Sequence, residues 1–216
     1  MQRNDNKIAQ FDEGMSIKKF IDELYNNGGF QTLLHSKNVA NLMSVFADCI
    51  DEDNDIYFYA GLLHDIGKLD VRPEILAKTS KLTDKEYDEV KTHTTAGPGM
   101  AKKIKNLPEA YVEAAVACAG SHHLWFRGNG GYGINTKLTR SAIPLVARVC
   151  AICDVFDAIS SPRSYSPATP DNETIKIMEN LNGNGQFDPL LFKIFKNKVL
   201  PLYRAKMATA QQIVAI

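Results

Sequence analysis

The sequence predicts an all-α fold, and three observations carry that prediction. Apolar residues recur at helical spacing in successive blocks, and Gly, Pro and capping residues punctuate those blocks. No alternating run of apolar and polar residues flanked by hairpin turns occurs that would build a sheet. The 216 residues suit one domain, with 44% hydrophobic and 23% charged residues, a balance that excludes a disordered chain.

The blocks follow in order. Residues 1–13 are polar and read as a lead-in, with the domain spanning 14–216. Helical periodicity starts near Ser16, with Ile17, Phe20, Ile21 and Leu24 on one face, and Asn26-Asn27-Gly28-Gly29 stops it. A second helix is predicted from about Phe30 to Ile50, and the acidic turn Asp51 to Asp55 supplies caps for a third. That third helix carries Tyr57, Phe58, Leu62 and Leu63 into His64, with Gly67 placed to end it. Thr83 and Glu86 form a capping box for a helix reaching to about Lys105, and Pro108 starts one ending near His122. Gly128 to Gly133 is a Gly-rich loop, read as a mobile or ligand-covering segment. A strongly apolar helix follows from about Ser141 to Ser160. Thr169-Pro170 then caps a helix to Leu181, and the tail is helical.

Composition narrows the function. Twenty-five Lys plus Arg balance 25 Asp plus Glu, so no global basic field draws the chain to a nucleic-acid polymer or an anionic membrane. The longest apolar region is broken by Arg148, Asp154 and Asp157, so no membrane span is expected. The polar first residues lack a signal-peptide core, which points to a cytoplasmic address. Cys49, Cys118, Cys150 and Cys153 lie among small apolar residues and read as core packing.

The five histidines, His35, His64, His93, His122 and His123, each fall on or at the end of a predicted helix. The first four are evenly spaced, but their flanks differ, so this is not an internal repeat. Helices of a bundle can aim such side chains into one interior site. His64-Asp65 and His122-His123 are adjacent pairs, and Asp154 sits in the most apolar helix. A carboxylate buried there is costly unless paired or bound to metal. Nitrogen and oxygen donors without thiolates suit iron, manganese or zinc, and a two-metal centre accounts for the set economically.

Leu62-Leu63-His64-Asp65-Ile66-Gly67-Lys68 resembles the signature of the HD superfamily of metal-dependent phosphohydrolases, and the rest resembles its HD-GYP branch. The similarity runs from about His35 to Asp188. It includes Leu76-Ala77-Lys78 with Leu82-Thr83, His93 with Gly97, His122-His123 before Gly130-Gly131-Tyr132-Gly133, and Asp154-Val155-Phe156-Asp157-Ala158 followed by Arg163-Ser164-Tyr165. The resemblance implies a single HD-type helical bundle with a bi-metal site in its core. One metal would be held by His35, His64, Asp65 and Asp154, and the other by His93, His122 and His123, with Asp65 bridging. Two divalent ions, iron or manganese, would activate water for attack on phosphorus. Asp65 and Lys68 would be catalytic, Lys68 by holding a phosphate oxygen one helical turn beyond the HD pair. Lys68, Tyr132 and Arg163 would bind substrate.

The chain departs from the branch pattern at its loop. Leu124 and Arg127 stand where the branch has Glu and Asp, one residue is inserted, and Gly133 replaces Pro, so a different loop shape is expected. Gln31 occupies the place of a glutamate that helps bind a third metal in some members, and Ser166 replaces a phosphate-holding lysine. The metal set is spared while the substrate side has drifted. The function implied is phosphodiester hydrolysis of a cyclic dinucleotide, cyclic di-GMP first. The alternatives are hydrolysis of another nucleotide phosphoester, a di-iron oxygenase, or a catalytically silent cyclic-dinucleotide binder. A homodimer is left open.

Overall fold

The computed structural model describes residues 15–162 and 168–214. The lead-in over 1–13, together with Arg163 and Ser166, lies outside the described residues. Ten α-helices and three short helical segments make up the described fold, with no strand among them and only two isolated bridges. The expected all-α architecture is what the chain adopts.

Helix α1 (Ile17–Cys49) is capped by Ser16, whose hydroxyl accepts from the Lys19 amide. The predicted stop is a kink inside it. Gly29, at φ 73°, ψ 179°, redirects the chain, and the helix resumes at once. Asp53 caps α2 (Asn54–Leu63), accepting from the Asp55 and Ile56 amides. A 3₁₀ segment (Ile66–Asp70) and the single turn α3 (Pro73–Leu76) follow.

The capping box at Thr83 and Glu86 is formed, but the helix it starts, α4 (Asp84–Lys91), stops early. A bend at Thr92 separates it from α5 (His93–Ala101), so one expected helix is two. Helix α6 (Glu109–Ser121) leads to the His122-His123 pair, and α7 (Leu145–Ser160) is the apolar helix. In α8 (Asp171–Gly183) the expected Thr169 cap is absent. Pro170 takes the cap position and the Thr169 carbonyl accepts from Thr174. The tail is α9 (Pro189–Ile194), a π turn (Phe195–Val199) and α10 (Leu200–Val214).

Two large apolar clusters hold most of these elements, with a small third one of Leu124, Ile143 and Ala147. The larger joins α1, α7 and the tail through Phe46, Phe156 and Phe195, whose rings pair at centroid distances of 5.3–6.1 Å. Cys118, Cys150 and Cys153 are buried in it as free thiols, as expected. The other large cluster gathers Phe20, Leu24, Leu63, Ile66 and Ala119. Between them α1 packs on α2 and α7, α2 on α6, and α5 on both α6 and the 3₁₀ segment. That closure brings five chain segments carrying His or Asp to one interior point.

Gly67 does not end α2, which stops at Leu63. A Cβ at Gly67 would lie 2.0 Å from the His93 carbonyl oxygen and 2.8 Å from the Gly97 amide nitrogen. Its role is to let the 3₁₀ backbone touch α5, which sets the distance between the His64-Asp65 pair and His93. Among the described residues no helix is long and apolar enough to cross a membrane.

Candidate metal centre

The seven side chains expected as ligands gather at that point in two groups. His35, His64 and Asp154 form one, and Asp65, His93, His122 and His123 the other, with donor atoms within 4.8 Å of one another inside each group. His35 Nε2 lies 3.0 Å from Asp154 Oδ1, and His64 Nε2 3.8 Å from the same oxygen. Asp65 spans the groups. Its Oδ2 is 3.2 Å from His64 Nε2 and 3.8 Å from His35 Nε2, whereas its Oδ1 is 3.3 Å from His93 Nε2 and 3.9 Å from His122 Nε2. His123 Nδ1 lies 4.0 Å from Asp154 Oδ2.

The imidazoles point inward because helices end beside them. Carbonyls of a helix's last turns can take a side-chain donor, alone or beside a capping amide as at Cys118, whose oxygen also accepts the His122 amide at 3.0 Å. His64 Nδ1 donates to the Gly61 carbonyl at 2.7 Å, His93 Nδ1 to Val90 at 2.6 Å, and His122 Nδ1 to Cys118 at 2.9 Å. A carbonyl only accepts, so each ring carries its proton on Nδ1 and presents an Nε2 lone pair to the cluster. His35, in mid-helix, has no free carbonyl of this kind. Its Nδ1 meets Asp157 Oδ2 at 2.6 Å, and Asn38 and Ser161 hold Asp157 Oδ1. Sequence reasoning gives Asp157 no role at the site. The signal is there all the same: it stands one turn beyond Asp154 on the same apolar helix.

Burial sets the charge state. It pushes His122 well below its ordinary value, lowers His93, and takes His123 down to about 4. For His35 burial is outweighed by the hydrogen bonds to Asp154 and Asp157, and the net shift is upward. Burial alone would raise Asp65 and Asp154. The charges of His64 and Lys68 hold Asp65 well below the carboxylate range instead, and the His35 hydrogen bond does the same for Asp154. Ionised carboxylates beside His93, His122 and His123, which burial holds neutral, make a cation receptor on that side of the cluster.

The fit to a metal rests on orphaned atoms. His64 Nε2 and Asp65 Oδ1 are fully buried yet have no hydrogen-bond partner, a costly state in an apolar interior. Both face the cluster, where a divalent cation satisfies them, so the donor set suits divalent metal ions.

Lys68 Nζ donates to Asp65 Oδ2 from the cluster's edge and is partly exposed. The Tyr132 ring stacks on His123 at a 4.5 Å centroid distance, with His93 and Tyr87 edge-on at 6.1 and 6.4 Å. The loop that carries it is pinned. Phe126 and Arg127 amides donate to the Gln186 and Gly185 carbonyls, Tyr132 N donates to His123 O, and Arg127 and Asn129 side chains donate to Gly183 and Asn184. These bonds tie the Gly-rich loop to the 183–186 segment and to His123, and the loop carries Tyr132 against the cluster.

Comparison with known proteins identifies the family to which this chain belongs. The chain is 36% identical over 171 residues to a cyclic di-GMP phosphodiesterase of Pseudomonas aeruginosa, covering 78% of this chain and 39% of that protein. It is 30% identical over 202 residues to 3'3'-cGAMP-specific phosphodiesterase 1 of Vibrio cholerae, covering 91% and 44%. The chain thus spans about two fifths of the length of these curated relatives. Its fold matches the HD domain of the L. monocytogenes phosphodiesterase PgpH with a TM-score of 0.61 at 18% identity, covering 87% of this chain and 98% of that one. A model of the HD domain matches residues 33–191, the stretch that supplies every donor of the buried cluster, and the chain belongs to the HD superfamily, in its HD-GYP branch.

Proposed function

We propose that this chain is a metal-dependent phosphodiesterase that hydrolyses a cyclic dinucleotide, with cyclic di-GMP as the first substrate. The observation that carries the reading is Asp65: its two oxygens face different histidine groups while Lys68 holds one of them from the open side. The names of the relatives support the substrate class.

His35, His64, Asp65 and Asp154 would hold one metal, and His93, His122, His123 and Asp65 the other. Iron or manganese suits this nitrogen and oxygen set. Such a pair, when bound, lowers the pKa of bound water and neutralises charge on a phosphoryl group. The side chains do the rest. Asp65 keeps the two groups in register, and the Nδ1 hydrogen bonds of His35, His64, His93 and His122 fix those imidazoles before a ligand arrives. Lys68 is close enough to the cluster to take a non-bridging phosphate oxygen and hold the charge that grows there in the transition state. Tyr132 offers a ring face beside His123 for substrate. Arg163, by its sequence position, would add a guanidinium to a phosphate.

Anaerobic purification, metal analysis and incubation with a panel of cyclic dinucleotides test this, with products followed by chromatography. Release of a linear dinucleotide, lost in Asp65→Ala, is the expected result. Binding without product over a long incubation, or oxygen uptake without ester cleavage, overturns it.

A further inference from the structure

A pocket of about 620 Å³ opens beside the buried cluster, and the segment that builds it has no role in the phosphodiesterase chemistry so far assigned. Its floor is apolar, from Ile75, Leu76, Leu82 and Val90, and its rim carries Lys78, Thr79, Ser80 and Lys81. Two of its lining residues also belong to the cluster's framework. Lys68 reaches from this wall to Asp65, and the Val90 carbonyl holds His93 Nδ1. The pocket and the histidines therefore share a wall, and a molecule whose phosphate meets Lys68 extends directly into it.

The rim is prearranged. Lys78 is fixed by Glu86, at 2.6 and 2.8 Å to its two carboxylate oxygens, and the same carboxylate closes the capping box of α4. Lys81 is exposed and makes no ion pair among the described residues. An apolar floor suits the face of a nucleobase, hydroxyls suit its polar edge, and an unneutralised ammonium suits a phosphate. The volume falls within the usual range for small-molecule sites, roughly 300–1,000 Å³.

We propose that this pocket receives the half of the substrate that is not cleaved: one nucleobase against Ile75, Leu76, Leu82 and Val90, and the second phosphodiester at Lys81. The inference rests on the phosphodiesterase reading and assigns the 75–82 segment as its specificity wall. Lys68 then faces both ways, toward the scissile phosphate and toward the remote half.

The test compares cyclic di-GMP with bis(p-nitrophenyl) phosphate, a diester that has no second phosphate and no base, in the metal-loaded full chain. Lys81→Glu reverses the rim charge, and Thr79→Trp fills the pocket from an exposed position without a change of charge. Each is expected to lower the ratio of kcat/KM for the dinucleotide over that for the small diester by about tenfold, the scale of one charged hydrogen bond, with the loss in KM. Cyclic di-GMP turnover with that ratio unchanged in both variants overturns the pocket assignment alone. Wild-type protein that cleaves the small diester and no cyclic dinucleotide overturns the substrate reading, and the pocket assignment with it.

Discussion

His35 and His122 belong to different groups of the same buried cluster, and opposite means hold them in place. His122, like His64 and His93, stands at the end of a helix and spends its Nδ1 proton on a backbone carbonyl. His35 stands inside α1 and spends its proton on a carboxylate, Asp157, which Asn38 and Ser161 hold in turn. A carbonyl bears only a partial charge, so burial dominates and the His122 imidazole stays neutral. Carboxylates bear full charges, and Asp154 together with Asp157 outweighs burial, so the His35 imidazole keeps its proton to higher pH. One cluster thus contains a group that is ready for a cation and a group that must first release a proton.

Removing what the groups share is expected to have the largest effect. Asp65→Ala takes a donor from both, and should cut turnover by about 10³-fold or more with loss of bound metal. Retained turnover breaks the two-group description altogether. The next effect falls on one group only. Asp157→Asn leaves the shape but removes the charge behind His35, and metal affinity at the His35 group should weaken by about 10–100-fold. A metal titration that shows both sites weakened equally removes the distinction between them. No side-chain change can do the same to His122, because its support is backbone.

The pH dependence of the metal-free protein sharpens the contrast further. His93, His122 and His123 sit below their ordinary value, so the unfolded chain binds protons that the fold excludes. Stability should fall as pH drops from 6.5 through about 4, the folded value for His123. His35 is shifted upward and acts in the other direction: its contribution is complete below 6.5 and is lost as pH rises through its folded value. The ionised Asp65 and Asp154 add a loss below 3.8. Denaturant melts across pH should show a shallower slope between 6.5 and 4 in His123→Gln, and an unchanged slope contradicts the assignment. The smallest effect belongs to Tyr132. Tyr132→Ala loses a ring stacked on His123, worth about 1 kcal/mol in thermal unfolding, whereas Tyr132→Phe should keep it.

Several of these features are legible in the amino-acid order alone. Helical periodicity, a cap from the Asp51 to Asp55 turn and the Thr83-Glu86 box depend on neighbours within a turn, and all of them form. The candidate donors are legible as residue types, through the adjacent pairs His64-Asp65 and His122-His123 and the carboxylate of Asp154 in an apolar helix, and the resemblance to the HD signature supplies their grouping. Long-range contact lies beyond the reach of such local patterns. Gly67 reads as a helix stop and is a point of backbone contact with α5, which no local pattern encodes. The contacts of the Gly-rich loop are hidden too, since glycine composition says nothing of the carbonyls at Gly183 to Gln186 that accept from Phe126, Arg127 and Asn129. The helix from Thr83 breaks at Thr92, where His93 turns into the cluster. The role of Asp157 is hidden because its partner, His35, is far away in sequence.

By itself, then, the sequence determined which groups this protein can use: the helices, their caps, the imidazoles and the carboxylates, since each is a property of a residue and its near neighbours. Only the tertiary structure decided what those groups became. Packing of α1, α2, α5, α6 and α7 set the spacing between donors, and the helix ends that packing exposed fixed which nitrogen is free on His64, His93 and His122. The physical reason is that tautomer, charge state and distance all depend on burial and on partners from remote segments, and those exist only after the chain has closed on itself.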